Sequence, residues 1–450
     1  MSLPQAMENA RAVLAEADAK LEKLRHIEPY LIDVSLRENP VGSNLGQTRH
    51  DKLHILPKLR EFGFKNISLG TLDYDLPDEP EVDDDFMLEL RAAGADMTGC
   101  FAFTALGTRT SDGRFVPSPS QEKLQRYGVP NTVHEIYLSA DGMSRYGKYS
   151  FEELCKRLPA SIRWLYDNIR GDHGGRPRIF INIADGCDAF AGNLEDTCKV
   201  LALLAGQPIE GVTIEDDRGT FLPFQVGAYV KVIRSFLPPP FKILVHIHGG
   251  AGFENASVVE ALLNGADGIW GGLPKRAAII GHASIGELLA NLARVNNPHV
   301  QQYRMEQLLP LATYLQELDD LVPVPDDLPI LGRNAYRLTV TAFEQRALRF
   351  MDLAPEAIGG QYGYRVCAVI SDGPVIARRL AEVTGRPLTD FPQAITTQMI
   401  CLMRRDLRAG KRIDYDQPPA LLQLYERAKE AFPDGIAADV LTDSSMERQP

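Results

Sequence analysis

Two histidines of this 450-residue chain, His246 and His248, stand one residue apart at the end of the run KILVHIHGG, residues 242–250. In an extended strand, side chains two residues apart leave the same face, so both imidazoles point one way and Ile247 the other. Two imidazoles on one face can share a divalent metal ion, and these are two of only nine histidines in the chain. The residues before them are apolar and β-branched enough for a parallel strand buried on both faces, and Gly249-Gly250 ends the run. Both rings are therefore expected at the C-terminal end of a strand, where α/β proteins keep their chemistry. A second group stands at the exit of residues 31–36, where Asp33, Ser35 and Arg37 alternate onto one face and Glu38 follows. Two histidines and a carboxylate form a usual set for a divalent ion, with positions left for water or substrate oxygens. Arg37 beside them offers a fixed fork for an oxyanion or carboxylate. The plainer reading of Arg37-Glu38 is a surface ion pair.

The elements that must position these groups are short apolar runs alternating with helical stretches. Eight runs are found, at 31–36, 66–69, 96–103, 135–139, 178–183, 211–215, 242–248 and 268–271. Helix-like segments lie between them, among them 51–62, 150–169, 193–205, 224–236 and 256–264. Strand–helix alternation reads as right-handed βαβ units on a parallel sheet, and eight repeats close a (β/α)8 TIM barrel. A doubly wound sheet is the alternative; no GxGxxG follows the first run, and the site candidates fall at several strand ends rather than at one switch point. The expected organisation is an N-terminal helix over 1–29, the barrel over 30–298, a helical C-terminal extension over 299–440 and a disordered tail over 441–450. Residues 300–370 read as mainly helical, with an extended V-P-V-P linker at 322–325. The acidic, proline-containing stretch 73–85 reads as a solvated loop, whereas Glu215-Asp216-Asp217 sits at a strand end and could reach the barrel mouth.

The formal net charge of −12 argues against a nucleic-acid or anionic-membrane partner. Six cysteines without a CxxC pair fit a reducing compartment, and no signal-peptide or membrane-span pattern is present, so the expectation is cytoplasmic.

The residues also resemble a known family. DVSLREN at 33–39 resembles the D-x-T-L-R-[DE]-G signature of the DRE-TIM metallolyase superfamily, which includes isopropylmalate, homocitrate and citramalate synthases and hydroxymethylglutaryl-CoA lyase. HIHGGAG at 246–252 is similar to its H-x-H-N-D-x-G, DDRGTFLP at 216–223 to its D-T-x-G-x-x-x-P, and GGLPKRAAIIGHAS at 271–284 to its G-x-G-E-R-x-G-N-A-S. ILGRNAY at 330–336, APEAIG at 354–359 and ISDG at 370–373 look like the helical subdomains of the synthases, which the lyases lack. The resemblance implies that Glu38, His246 and His248 hold a divalent ion (Zn, Mn, Fe or Mg), that Arg37 faces a substrate carbonyl, and that the chain forms a homodimer. The implied chemistry is a Claisen-type condensation of an acyl-CoA with a 2-oxo acid, or the retro-aldol reverse.

Departures from the family pattern set this chain apart. Asn39-Pro40-Val41 replaces Gly-x-Gln, Ser68 stands where a Glu is common, Asp217 replaces a threonine, and Gly249-Gly250 replaces Asn-Asp. Leu338 and Phe343 occupy the places of two histidines, and neither side chain can transfer a proton. His282 stands where the family has Asn, so it is expected as an additional metal ligand or as a base, or else as a plain loop histidine. His50 and His54 read as surface residues and Cys187 as a small buried one. The expectation is a divergent C–C bond-forming or cleaving enzyme acting on a small 2-oxo acid or related oxyacid. The alternatives are a non-catalytic metal-binding barrel that holds a small acid or protein partner, and a metal-dependent hydrolase. Against the hydrolase, amidohydrolase barrels carry H-x-H on the first strand, and here it is on the seventh.

Overall fold

The computed structural model describes residues 1–72, 81–278, 280–343 and 353–432. Two compact units divide at Val324/Pro325. In the first, eight parallel strands form a closed barrel: β1 (Tyr30–Asp33), β2 (Ile67–Thr71), β3 (Cys100–Ala105), β4 (Asn131–Ile136), β5 (Ile179–Ile183), β6 (Gly211–Asp216), β7 (Lys242–Ile247) and β8 (Gly268–Gly271). The strands run in sequence order around the barrel, and β1 pairs β8 with Tyr30 opposite Gly268 to close it. The expected TIM barrel is the observed fold.

Strands buried on both faces account for the apolar runs. Ile32, Val34, Phe101, Phe103, Val133, Phe180, Leu244 and Trp270 form one buried cluster that fills the barrel interior. Outside, helices such as Arg49–Phe62, Phe151–Asn168, Pro223–Phe236 and Ile285–Arg294 return the chain to the next strand or beyond. Their starts are written in sequence: Thr48 accepts from the Asp51 amide at 3.1 Å while the Asp51 carboxylate accepts from the Thr48 amide at 2.8 Å, a reciprocal cap.

The fourth strand corrects the reading of 135–139, because it runs Asn131–Ile136. Its first half looks polar, but Asn131 donates to the Cys100 carbonyl at 3.1 Å, Thr132 to Ala102 at 2.9 Å, and His134 meets Thr104 Oγ1 at 2.9 Å. Satisfied polar groups can occupy a buried strand. The N-terminal helix is observed as Leu3–His26 and contains no buried residue. Its end is tied down: Lys23 Nζ donates to the Leu263 carbonyl at 2.7 Å, and Asn297 Nδ2 to those of Leu24 and Ile27 at 2.7 and 2.8 Å.

In place of a helical stretch across 300–370, one α-helix, Leu308–Asp320, is followed among the described residues by short 3-10 turns at Arg333–Tyr336, Thr341–Phe343 and Pro355–Ile358. Residues 73–80 of the acidic stretch and the tail 441–450 lie outside the described residues, while residues 82–85 begin the helix Val82–Ala92. The second unit packs helices Gly373–Thr384, Gln393–Arg408 and Pro418–Lys429 around Ile376, Leu380, Met399, Met403, Leu421 and Leu424.

Candidate metal and substrate site

The barrel's C-terminal mouth collects the residues that carry chemistry. Glu215 and His246 are direct register partners on β6 and β7, and His248 follows one turn of the pleat later. Nδ1 of His246 lies 2.9 Å from the Trp270 carbonyl, and Nδ1 of His248 lies 3.4 Å from that of Ala278. A carbonyl only accepts, so each Nδ1 carries the proton and each Nε2 presents its lone pair. The two Nε2 atoms stand 3.1 Å apart, and Glu215 Oε1 lies 3.5 Å from that of His248. Two nitrogens each about 2.1 Å from one ion stand about 3.0–3.4 Å apart for angles between square and tetrahedral. The spacing therefore fits one shared divalent ion. Among the described residues Glu215, His246 and His248 form one group of potential ligands, all within 4.8 Å of one another and all buried.

Supporting contacts hold this group rigid. Trp270 stacks flat on the His246 ring at 3.7 Å, and Asn182 Nδ2 donates to Glu215 Oε2 at 2.8 Å, leaving Oε1 for the histidine side. Burial opposes a charge on His248, but the hydrogen bond and charge of Glu215 outweigh it and raise its pKa, by favouring on Nε2 a second proton whose place a bound ion would take. Burial, with neighbouring His248 and His282, holds His246 well below the usual histidine range. Below Glu215, Asn182 Oδ1, Thr213 Oγ1 and Trp270 Nε1 are buried without a protein partner. Alternation from Phe180, Leu244 and Trp270 puts them on the interior face, where a small polar ligand would meet them.

Arg37 and Glu38 leave β1 at the same mouth. Ser35 donates its amide and hydroxyl to the buried Asp33 carboxylate at 3.1 and 2.9 Å, and its oxygen accepts from the Leu273 amide at 3.1 Å, so the first and last strand exits are tied together. Burial raises the Asp33 carboxyl to about 7. The Arg37 guanidinium sits 4.2 Å over the Phe103 ring and 5.9 Å from that of Trp270, and its Nε donates to Thr71 Oγ1 at 2.9 Å. The stacking on Phe103 and Trp270 is a cation–π setting that fixes the fork's plane.

The sequence expectations meet the structure unevenly. His246 and His248 come together as read. Glu38 is buried, but its carboxylate pairs with Arg37 and it stands outside the ligand group, where Glu215 takes the carboxylate place. His282, expected as a ligand or base, is fully buried beside the pair with its ring centroid 5.0 Å from that of His246. Its Nδ1 donates to the Ala283 carbonyl at 2.9 Å and its Nε2 accepts from the Gly272 amide at 3.3 Å, so both nitrogens are spent on backbone. Burial lowers it to about 3, which keeps the ring neutral. His50 and His54 are exposed, and Cys187 is buried, as read. Sequence reasoning left Glu215 unassigned; its one signal was position, a carboxylate at the exit of β6 two residues beyond the interior-facing Thr213.

Comparison with known proteins follows the geometry. The chain is 21% identical over 337 residues to (R)-citramalate synthase of Aquifex aeolicus, covering 74% of this chain and 61% of that protein. It is 23% identical over 246 residues to 2-isopropylmalate synthase of Edwardsiella ictaluri, covering 51% and 44%. The chain thus spans 61% or less of the length of these curated relatives. Among solved structures, HMG-CoA lyase of Bacillus subtilis superposes with a TM-score of 0.52 at 16% identity, over 69% of this chain and 98% of the lyase. HMG-CoA lyase of Acinetobacter baumannii, solved with coenzyme A and 3-methylmalate, gives 0.52 at 14% identity over 67% and 99%. No family model matches the chain. No helix among the described residues is long and apolar enough to cross a membrane.

Proposed function

As a divergent member of the DRE-TIM metallolyase superfamily, the chain has the mouth architecture for metal-dependent carbon–carbon chemistry, and we propose that it makes or breaks a C–C bond next to the carbonyl of a small 2-oxo acid. His246, His248 and Glu215 would hold the divalent ion. The 3.1 Å approach of two lone-pair-bearing Nε2 atoms beside a carboxylate is the observation that carries this reading. A bound ion supplies Lewis-acid polarisation of a carbonyl and orientation of its oxygens. The protein's own groups do the rest. Arg37, stacked on Phe103 and held by Thr71 and Glu38, would offer its remaining N–H donors to a substrate carboxylate or oxyanion. Asn182 keeps Glu215 turned toward the histidines. Trp270 and Phe103 wall the site and exclude water from the reacting carbonyl.

The relatives' names favour one direction of the reaction. Two are synthases, so condensation with an acyl-CoA is the favoured form, with retro-aldol cleavage as its reverse. The chain's two units are a barrel that carries this site and a helical extension, and a homodimer is part of the same reading.

The test pairs metal analysis with turnover. Purified protein is analysed for metal by mass spectrometry, then incubated with a panel of 2-oxo acids with and without acetyl-CoA while free thiol and carbonyl loss are followed. About one divalent ion per chain and acid-dependent thiol release are expected. A chain that binds no zinc, manganese, iron or magnesium overturns the proposal. Metal uptake with neither thiol release nor cleavage across the panel removes the condensation and leaves a binding barrel.

A further inference from the structure

The N-terminal helix Leu3–His26 is the longest among the described residues and contains no buried residue. A helix held alone in water is marginal, and most of a helix's stability comes from packing an apolar face. This one has such a face. Leu3, Met7, Ala10, Leu14, Ala17, Leu21 and Leu24 succeed one another at alternating steps of four and three, the spacing of a coiled-coil seam, with Ala6 and Val13 alongside. Leu21 and Leu24 are half-buried where the helix end is bonded to Leu263 and Asn297. The seam then continues into solvent, with Leu3 74%, Met7 47%, Val13 71% and Leu14 62% exposed. The anchored end presets the direction of the rest.

We infer that this seam is a contact between two copies of the chain, their N-terminal helices lying antiparallel. The inference is independent of the reaction proposed for the barrel. Charge chooses the occupant and the orientation. One flank of the seam carries Arg11, Asp18 and Arg25 at seven-residue steps, and the other carries Lys20. Antiparallel helices related by a two-fold axis bring like flanks together, so Arg11 of each copy meets Asp18 of the other, and the contact is made twice. A parallel pair would set Lys20 against Arg25 across the seam. Area agrees. With Met1 included, the large apolar side chains leave on the order of 600 Å² uncovered per copy, so two copies hide roughly 1,000 Å² or more, the scale of a specific interface. The partner's first turns would then cover what remains exposed of Leu21 and Leu24.

Sedimentation velocity and light scattering on the full chain test this. Wild-type protein is expected as a dimer at micromolar concentration, and Leu14→Glu, at a site exposed enough to leave the monomer's fold intact, as a monomer with an unchanged circular-dichroism spectrum. Arg11→Asp or Asp18→Arg alone should each weaken association at least about tenfold, and the double exchange should restore it. The charge exchange probes the contact without touching the apolar seam. A monomeric wild type overturns the inference, whether or not its helix binds anionic vesicles. So does a dimer that survives Leu14→Glu, or a double exchange that fails to recover what the single changes lost.

Discussion

Replacing Glu215 by Gln separates the two carboxylates that compete for the place beside His246 and His248. Gln keeps the volume and can still accept the Asn182 hydrogen bond, so the barrel is undisturbed while the charged donor is lost. A group that only orients a ligand changes metal affinity by about 10–100-fold. Asn182 is such a group, since it bonds the far oxygen Oε2 at 2.8 Å, and Asn182→Ala is expected to weaken binding about tenfold. Glu215 itself faces His248 Nε2 at 3.5 Å and lies in the ligand group, so Glu215→Gln should exceed that range: a loss of about 100-fold or more, near 3 kcal/mol at 1.4 per decade. Glu38→Gln removes the carboxylate paired with Arg37 and no ligand, and should leave affinity within about threefold. The assay is competition against a chromophoric chelator, with mass-spectrometric metal content and circular dichroism as controls. The reverse order, with Glu38→Gln stripping the metal and Glu215→Gln sparing it, would refute the assignment and return the site to the ligands that the family resemblance implies.

Three further expectations concern stability. Burial raises Glu287, whose Oε1 lacks a protein partner, from the usual 4.5 to about 7. The folded protein therefore keeps a proton that the unfolded chain has released, and stability falls as pH rises between those values, by up to about 1.4 kcal/mol per unit. Glu287→Gln should be more stable than wild type at pH 8 and equal to it near pH 4.5 in urea melts; a constant difference across that range would show that the carboxyl does not titrate there. In the second unit Asp416 accepts from Arg337 at 2.8 Å and from the Val366 amide at 3.0 Å, with Arg379 at 3.4 Å. Asp416→Ala leaves the largely buried Arg337 guanidinium without its carboxylate, while Arg379 keeps Glu382 at 3.0 Å, and should cost about 3 kcal/mol; a loss under 1 kcal/mol by denaturant titration would dismiss the network as a core element. A Cβ on Gly268 would overlap the Tyr30 carbonyl at barrel closure, so Gly268→Ala should yield insoluble or strongly destabilised protein, and a variant melting with wild type would contradict the close strand approach.

The barrel was legible because strands covered on both faces must be apolar, and each of the eight runs overlaps an observed strand. The fourth was displaced because Asn131, Thr132 and His134 carry polarity that the neighbouring strand satisfies, which no hydropathy pattern reveals. At the mouth, His246 and His248 were legible from spacing alone, since alternation is a property of one strand. Glu215 was not, because its partnership depends on the register between β6 and β7. His282 illustrates the opposite failure: a histidine beside a site looks available until the Gly272 amide and the Ala283 carbonyl are found on its two nitrogens. The stretch after Leu308–Asp320 was read as helical from composition, but its described residues, rich in proline and glycine, form single turns.

The pairing of β1 with β8 also divides the mouth by chain distance. Glu215, His246 and His248 sit on adjacent strands joined by a single helix, whereas Arg37 reaches them only after the first strand has met the last, with Tyr30 opposite Gly268. Contacts that distant along the chain are the slowest to form. On the proposed assignment, a molecule whose barrel has failed to close would keep the half with the candidate ligands and lose Arg37. Metal content in a preparation therefore sets an upper limit on competent protein, and the active fraction must be counted by a ligand that needs Arg37.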